Sequence, residues 1–104
     1  MNKLFLDDIR NPEDDSWDIV RSYDEFVDYI LKNGIPDVIS FDHDLGRFDY
    51  EEEKTGYDCA KFLAIYAMDN NHMNFINTRV HSQNPVGRKN IEKFMHNFNV
   101  RRMI

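Results

Sequence analysis

The sequence holds a single cysteine, Cys59. An intrachain disulfide is therefore excluded, and a reducing compartment is expected. Cys59 stands inside an apolar helical pattern and reads as a small core residue rather than a nucleophile. No hydrophobic run approaches the length of a membrane span. The start, Met1 to Asp8, turns acidic too soon for a secretory leader. A cytoplasmic protein is the expectation. Basic residues are in the minority, with 13 Lys and Arg against 19 Asp and Glu and a formal net charge of −6. That balance argues against wholesale binding of duplex DNA or of an anionic membrane. No Cys/His spacing suits structural zinc, and there is no internal repeat or low-complexity segment.

What is present suits one folded domain over residues 1–104. Hydrophobic residues make up 41% and aromatic residues 13%, too much for a disordered chain. The charge is uneven. From Arg79 onward the one acid is Glu92, while Arg79, Arg88, Lys89, Lys93, Arg101 and Arg102 are basic.

The chain punctuates itself. Lys3 to Leu6 read as a strand that ends in Asp7-Asp8. Pro12 keeps the following stretch out of a helix. Trp17 to Val20 read as a second strand. Ser22 and Glu25 form a capping box for a helix carrying Phe26, Val27, Ile30 and Leu31. Gly34 and Pro36 end that helix. Val38 to Phe41 are an apolar strand, the kind buried on both faces. Asp42-His43-Asp44 stand at its end. Arg47 to Lys54 are polar and acidic, a loop expected over the strand end. Thr55-Gly56-Tyr57 open a second helix whose face is Tyr57, Ala60, Leu63, Ala64 and Ala67, closed by Asp69 to Asn71. Phe75 to Val80 are weakly strand-like and end in His81-Ser82. Asn84 caps a third helix, with Pro85 at its first position and Ile91, Phe94, Met95 and Phe98 on its face. Val100 to Ile104 read as a last short strand.

Strands alternating with helices predict a single-domain α/β fold, a mostly parallel sheet with helices on both faces. The first connection is unusual. A parallel crossover normally takes a helix, and here a loop serves, so the first helix is reduced or missing.

In such a sheet, ligands gather at the carboxyl ends of the strands. These ends bring Asp7 and Asp8, then Asp42, His43 and Asp44, then His81 and Ser82, next to the helix start at Asn84. Free N–H groups and the helix dipole make that start an anion site. Carboxylates beside an anion site point to Mg²⁺ or Mn²⁺ shared with a phosphate, held by Asp7, Asp8 and Asp42. His43 and His81 suit acid–base work, with Asp42 and Asp44 beside them. Arg10, Ser82 and Asn84 suit phosphate binding. His72 and His96 read as surface residues.

Two resemblances follow from these residues. The acid pair Asp7-Asp8, Asp42 after the central strand and Ser82 after the next resemble the receiver domains of two-component signalling. That resemblance implies Mg²⁺ at the pair and a phosphoryl group accepted by Asp42. The chain departs from the receiver pattern in its first helix and in the lysine after the last strand, since Arg101, Arg102, Met103 and Ile104 are all that remain. The second resemblance covers nearly the whole chain. Leu4 to Pro12, Ser40 to Gly46, Thr55 to Asp58 and His81 to Gly87 look like the cyclic-phosphate-processing receiver-like domain family. It implies handling of cyclic phosphates on nucleotides or RNA ends, with Asp8, Arg10, Asp42, His43, Asp44, His81, Ser82 and Asn84 lining the site. Asp58 reads as a helix-start residue.

The expectation is thus a phosphodiesterase for cyclic phosphates, using histidine acid–base catalysis with metal assistance. Its partner would be a nucleotide or RNA terminus, with no duplex DNA and no membrane. The rivals are a non-catalytic phosphate- or nucleotide-binding module and a phosphoacceptor receiver.

Overall fold

The computed structural model describes residues 1–45 and 54–102. Four strands, β1 (Lys3–Leu6), β2 (Asp18–Val20), β3 (Val38–Phe41) and β4 (Thr78–Val80), form one sheet in the order β2-β1-β3-β4. All pairings are parallel; Leu4, Phe5 and Leu6 of β1 stand beside Asp18, Ile19 and Val20 on one side and Ile39, Ser40 and Phe41 on the other. Phe41 in turn pairs with Val80. Three helices complete the described chain: α1 (Tyr23–Asn33), α2 (Gly56–Asp69) and α3 (Pro85–Arg102).

The caps behave as their chemistry dictates. Ser22 Oγ accepts the Glu25 N–H at 3.1 Å, but Glu25 reaches back to the N–H of Arg21 rather than of Ser22. Thr55 and Asp58 close a reciprocal capping box on α2, so Asp58 is a helix-start residue as expected. Gly34 ends α1 at φ 81°, a backbone state that costs a side-chain-bearing residue energy.

The sheet is parallel α/β as expected, but the helices cover one face. Leu4, Leu6, Val20, Ile39, Phe41 and Val80 alternate onto the side that packs against Phe26 and Ile30 of α1, Leu63 of α2 and Ile91 of α3. Each such buried side chain contributes about 1.5–3 kcal/mol. Handedness explains the one-sidedness. The crossovers β2 to β3 and β3 to β4 move in the same direction along the sheet, so right-handed connections place α1 and α2 on one face. The step from β1 to β2 runs the other way, and its connection belongs on the opposite face. That connection carries no helix. Arg21 pins it instead, donating to the carbonyls of Asp7 (3.1 Å) and Arg10 (2.7 Å) and to Asn11 Oδ1 (2.6 Å). Trp17 lies on this second face, edge-on to Phe5 at 5.9 Å.

Two boundaries differ from the sequence expectation. β4 is confined to Thr78–Val80; Ile76 before it is held by Asn99, whose amide exchanges two 3.0 Å bonds with the Ile76 backbone. Where a last strand was expected over Val100 to Ile104, the described residues Val100 to Arg102 are helix, the end of α3. Asn99 and Arg102 anchor its final turns through backbone carbonyls, Arg102 donating to those of His72 and Asn74. Met103 and Ile104 lie outside the described residues, as does the acidic loop expected at Arg47 to Lys54 apart from Lys54 itself.

Candidate functional site

The alternation of the strands continues past their ends and sorts the site residues. Phe5, Ser40 and Arg79 form one row of the helix-free face. Asp7 follows Phe5 by two, Asp42 follows Ser40 by two, and His81 follows Arg79 by two. These fall on the helix-free side. His43 and Ser82 fall on the helix side, with α3.

On the helix-free side the groups are tightly coupled. His81 stacks flat on Phe5, ring centroids 4.3 Å apart and planes 5° from parallel. Its Nε2 faces Asp7 Oδ2 at 3.0 Å and its Nδ1 faces Ser40 Oγ at 2.7 Å. Asp7, 1% exposed, also accepts the N–H groups of Ile9 (2.9 Å) and Arg10 (2.7 Å) and the Arg10 Nε at 3.1 Å. Arg10 Nη2 lies 3.7 Å from Asp42 Oδ1, so one guanidinium spans both carboxylates. The two acids are driven apart. Burial pushes Asp7 up, but the hydrogen bonds from Ile9, Arg10 and His81 and the Arg10 charge outweigh it and leave its carboxyl below the usual range. Burial and then the charge of Asp7 hold Asp42 above its ordinary value, against opposing effects of His81, the His43 N–H and Arg10.

On the helix side His43 Nδ1 faces Asp44 Oδ1 at 2.9 Å. The His43 ring lies so close to the first turn of α3 that a Cβ on Gly87 would stand 2.3 Å from its Cγ. Asn84 caps α3 by accepting the Gly87 N–H at 3.0 Å, and its amide reaches Asp44 at 3.3 Å. Ser82 Oγ accepts the Asn84 N–H at 3.1 Å. Gly56 lets α2 start against the strand end: a Cβ there would stand 1.8 Å from the Asp42 carbonyl oxygen.

Two clefts meet at Arg10. One, about 350 Å³, lies at the strand ends with Asp42, Asp44, Ser82, Gln83, Asn84 and Pro85. The other, about 470 Å³, lies on the helix-free face, with Phe5, Trp17, Ser40 and His81 among its walls. Asp7, Arg10, Asp42 and His81 are thus brought together, as are His43, Asp44, Ser82 and Asn84. The two imidazoles are not brought together; they stand at one rim on opposite faces of the sheet. Asp8, in the bend that follows β1, lies outside the acid–imidazole cluster of Asp7, Asp42 and His81.

One ligand atom each from Asp7, Asp42 and His81 lie within 4.8 Å of one another, close enough for a divalent cation. The arrangement nevertheless does not fit Mg²⁺ or Mn²⁺ as it stands. A carboxylate has about four lone-pair positions, and Asp7 already meets four donors. The cation between the acids is Arg10 itself.

Sequence reasoning missed Ser40, because a serine in an apolar strand carries no signal until its neighbour across the ladder is known. It also missed Lys3, Phe5, Trp17 and Arg79 as walls of a cleft. Phe5 and Trp17 read only as strand residues, and the missing helix is what leaves Trp17 part-exposed beside the buried Phe5 ring.

Among comparisons with known proteins, no curated protein and no solved structure matches this chain. A family model does, over residues 2–97, spanning every strand and both clefts. With a parallel receiver-like sheet and its rim residues in that span, the chain belongs to the cyclic-phosphate processing receiver domain family.

Proposed function

We propose that the chain hydrolyses a cyclic phosphodiester on a nucleotide or an RNA end, without a metal ion. The observation that carries this reading is the His81 imidazole clamped between the Asp7 carboxylate and the Ser40 hydroxyl on the wall of a cleft. A carboxylate that orients an imidazole, which in turn polarises a hydroxyl, is an arrangement suited to moving protons. Arg10, which lines both clefts, supplies the charge that balances the phosphate. The start of α3 adds free N–H groups, and its first turn holds no acidic side chain.

In this reading a water oxygen bonds to phosphorus while its proton passes through Ser40 Oγ to His81. One ring P–O bond breaks. The departing oxygen takes a proton from Asp42, whose carboxyl is held above its ordinary value by burial and by the charge of Asp7. The product is a phosphomonoester. His43 and Asp44 position the phosphate from the α3 side rather than exchanging protons with it.

The test is turnover of 2′,3′-cyclic nucleotides and cyclic-ended oligoribonucleotides. His81→Ala is expected to lose about 10²–10⁴-fold in rate, and His43→Ala distinctly less. No turnover of any of these by the parent protein ends the hydrolase reading. A second reading, a non-catalytic grip for the same ligands, is favoured by the saturation of Asp7 and of both His81 ring nitrogens. Calorimetric binding without turnover supports it. The phosphoacceptor alternative predicts labelling by a phosphoryl donor that Asp42→Ala abolishes.

A further inference from the structure

We propose that the cleft on the helix-free face is a nucleotide-recognition subsite, taking the base of the terminal nucleotide on Trp17 and a second, neighbouring phosphate on Lys3 and Arg79. The proposal rests on the reading of the rim as a phosphate site and names the class of substrate it serves: a nucleotide at the end of an RNA strand, rather than a small cyclic phosphate without a base.

The cleft exists because of one absence. The connection from β1 to β2 would bring a helix onto this face, and it brings a loop. The sheet surface left open is aromatic and basic in a chain that is acidic overall. Lys3 Nζ sits 4.7 Å from the centre of the Trp17 ring and the Arg79 guanidinium 5.8 Å from it. Among the described residues neither cation is in an ion pair. Two cations resting on an indole mark a surface where a base can stack and a phosphate can be gripped, the combination that single-stranded nucleic acid sites use. At about 470 Å³ the cleft is within the usual range for small-ligand sites.

Placement agrees with chemistry. His81 and Arg10 stand at the rim end of the cleft, and Lys3 lies at the far end of β1, two residues below Phe5. Two residues of strand cover about 7 Å. A cyclic phosphate at the rim therefore leaves its own base over Trp17 and the next phosphate of the strand near Lys3 and Arg79. Glu13 and Asp14 line the same cleft, Asp14 within electrostatic reach of Lys3, and supply counter-charge that favours release.

Trp17 is the chain's one tryptophan, so its fluorescence reports this cleft alone. The experiment titrates the parent, Trp17→Phe, Trp17→Ala and Arg79→Ala with three probes: a 2′,3′-cyclic mononucleotide, a dinucleotide with a 2′,3′-cyclic end, and glycerol 1,2-cyclic phosphate. Fluorescence is read where tryptophan remains, and calorimetry throughout. The expected order of affinity for the parent is dinucleotide, mononucleotide, glycerol phosphate. Trp17→Ala should weaken both nucleotides about 5- to 150-fold and leave the base-free probe unchanged, while Trp17→Phe retains most of the affinity. Arg79→Ala, at an exposed position, should weaken the dinucleotide alone and reduce its salt dependence. Equal affinities for nucleotides and the base-free probe in the parent would overturn the proposal, as would Trp17→Ala or Arg79→Ala binding the dinucleotide like the parent. Its failure is separable from that of the hydrolase reading: nucleotide binding without turnover leaves the subsite standing, and turnover indifferent to the base leaves the hydrolase standing.

Discussion

Asp7 and Asp42 are two buried carboxylates spanned by one guanidinium, yet they respond to their surroundings in opposite senses. Asp7 is held below its ordinary range, so its ionised form stabilises the fold. That contribution is full above the unfolded value near 3.8 and is lost as pH falls through the lowered folded value. Asp42 is held above its ordinary range, so its ionisation costs stability once pH rises through the raised value. Denaturant unfolding from pH 3 to 8 should therefore separate the two. Asp7→Asn should lose about 3 kcal/mol at neutral pH. Asp42→Asn should match or exceed the parent there, its advantage fading as pH falls below the carboxylate range. A loss of similar size in both would contradict the asymmetry. Arg10 carries a second prediction. If its guanidinium is the cation of the site, chelators leave parent turnover intact, and Mn²⁺ does not raise the parent's melting temperature. Arg10→Ala, with two acids uncovered, should gain a Mn²⁺-dependent rise. A chelator-sensitive parent would show that the metal displaces Arg10 in the working state. None of this was legible from the residues alone. The acid pair is plain in the sequence, but which member turns toward His81 depends on the phase of the strand.

At the scale of elements, caps and apolar runs announced themselves. Ser22, Gly34, Thr55 and Asn84 bound the helices as their side chains and backbone freedom require. What stayed hidden was held by polar contacts that hydrophobic periodicity does not register. Asn99, 5% exposed, stitches α3 to the segment before β4, which is why helix continues where a final strand was expected. The helix starts also carry a prediction. Gly87→Ala meets the His43 ring at its root, so it should displace that ring, shift the His43 imidazole resonances and leave those of His81 in place. Gly56→Ala meets the Asp42 carbonyl, which is backbone, and should cost about 3 kcal/mol or more. Movement of both histidines' resonances in Gly87→Ala would place them on one side of the sheet and refute the division described above.

For the whole molecule, the parallel α/β class followed from the alternation of strands and helices, and the absent first helix was visible as a loop where a crossover was due. The one-sided cover was not, since it emerges from strand order and handedness together. An expectation of helices on both faces is what the alternation implies when every crossover has its helix. The same asymmetry divides labour. The helix face carries the large apolar cluster, and the open face carries the cationic and aromatic cleft.

The loop between β1 and β2 is fastened at its root by Arg21 and Asp7, and its outer part, around Glu13 to Ser16, contributes no residue to the central apolar cluster. Lengthening or shortening that arc by two or three glycine or serine residues should change the unfolding midpoint by no more than about 1 kcal/mol, while altering which ligands the protein retains on a nucleotide affinity panel. A large drop in the midpoint would mean that the arc is part of the scaffold. A chain built this way can acquire a new guest by editing a fringe, leaving the girders untouched.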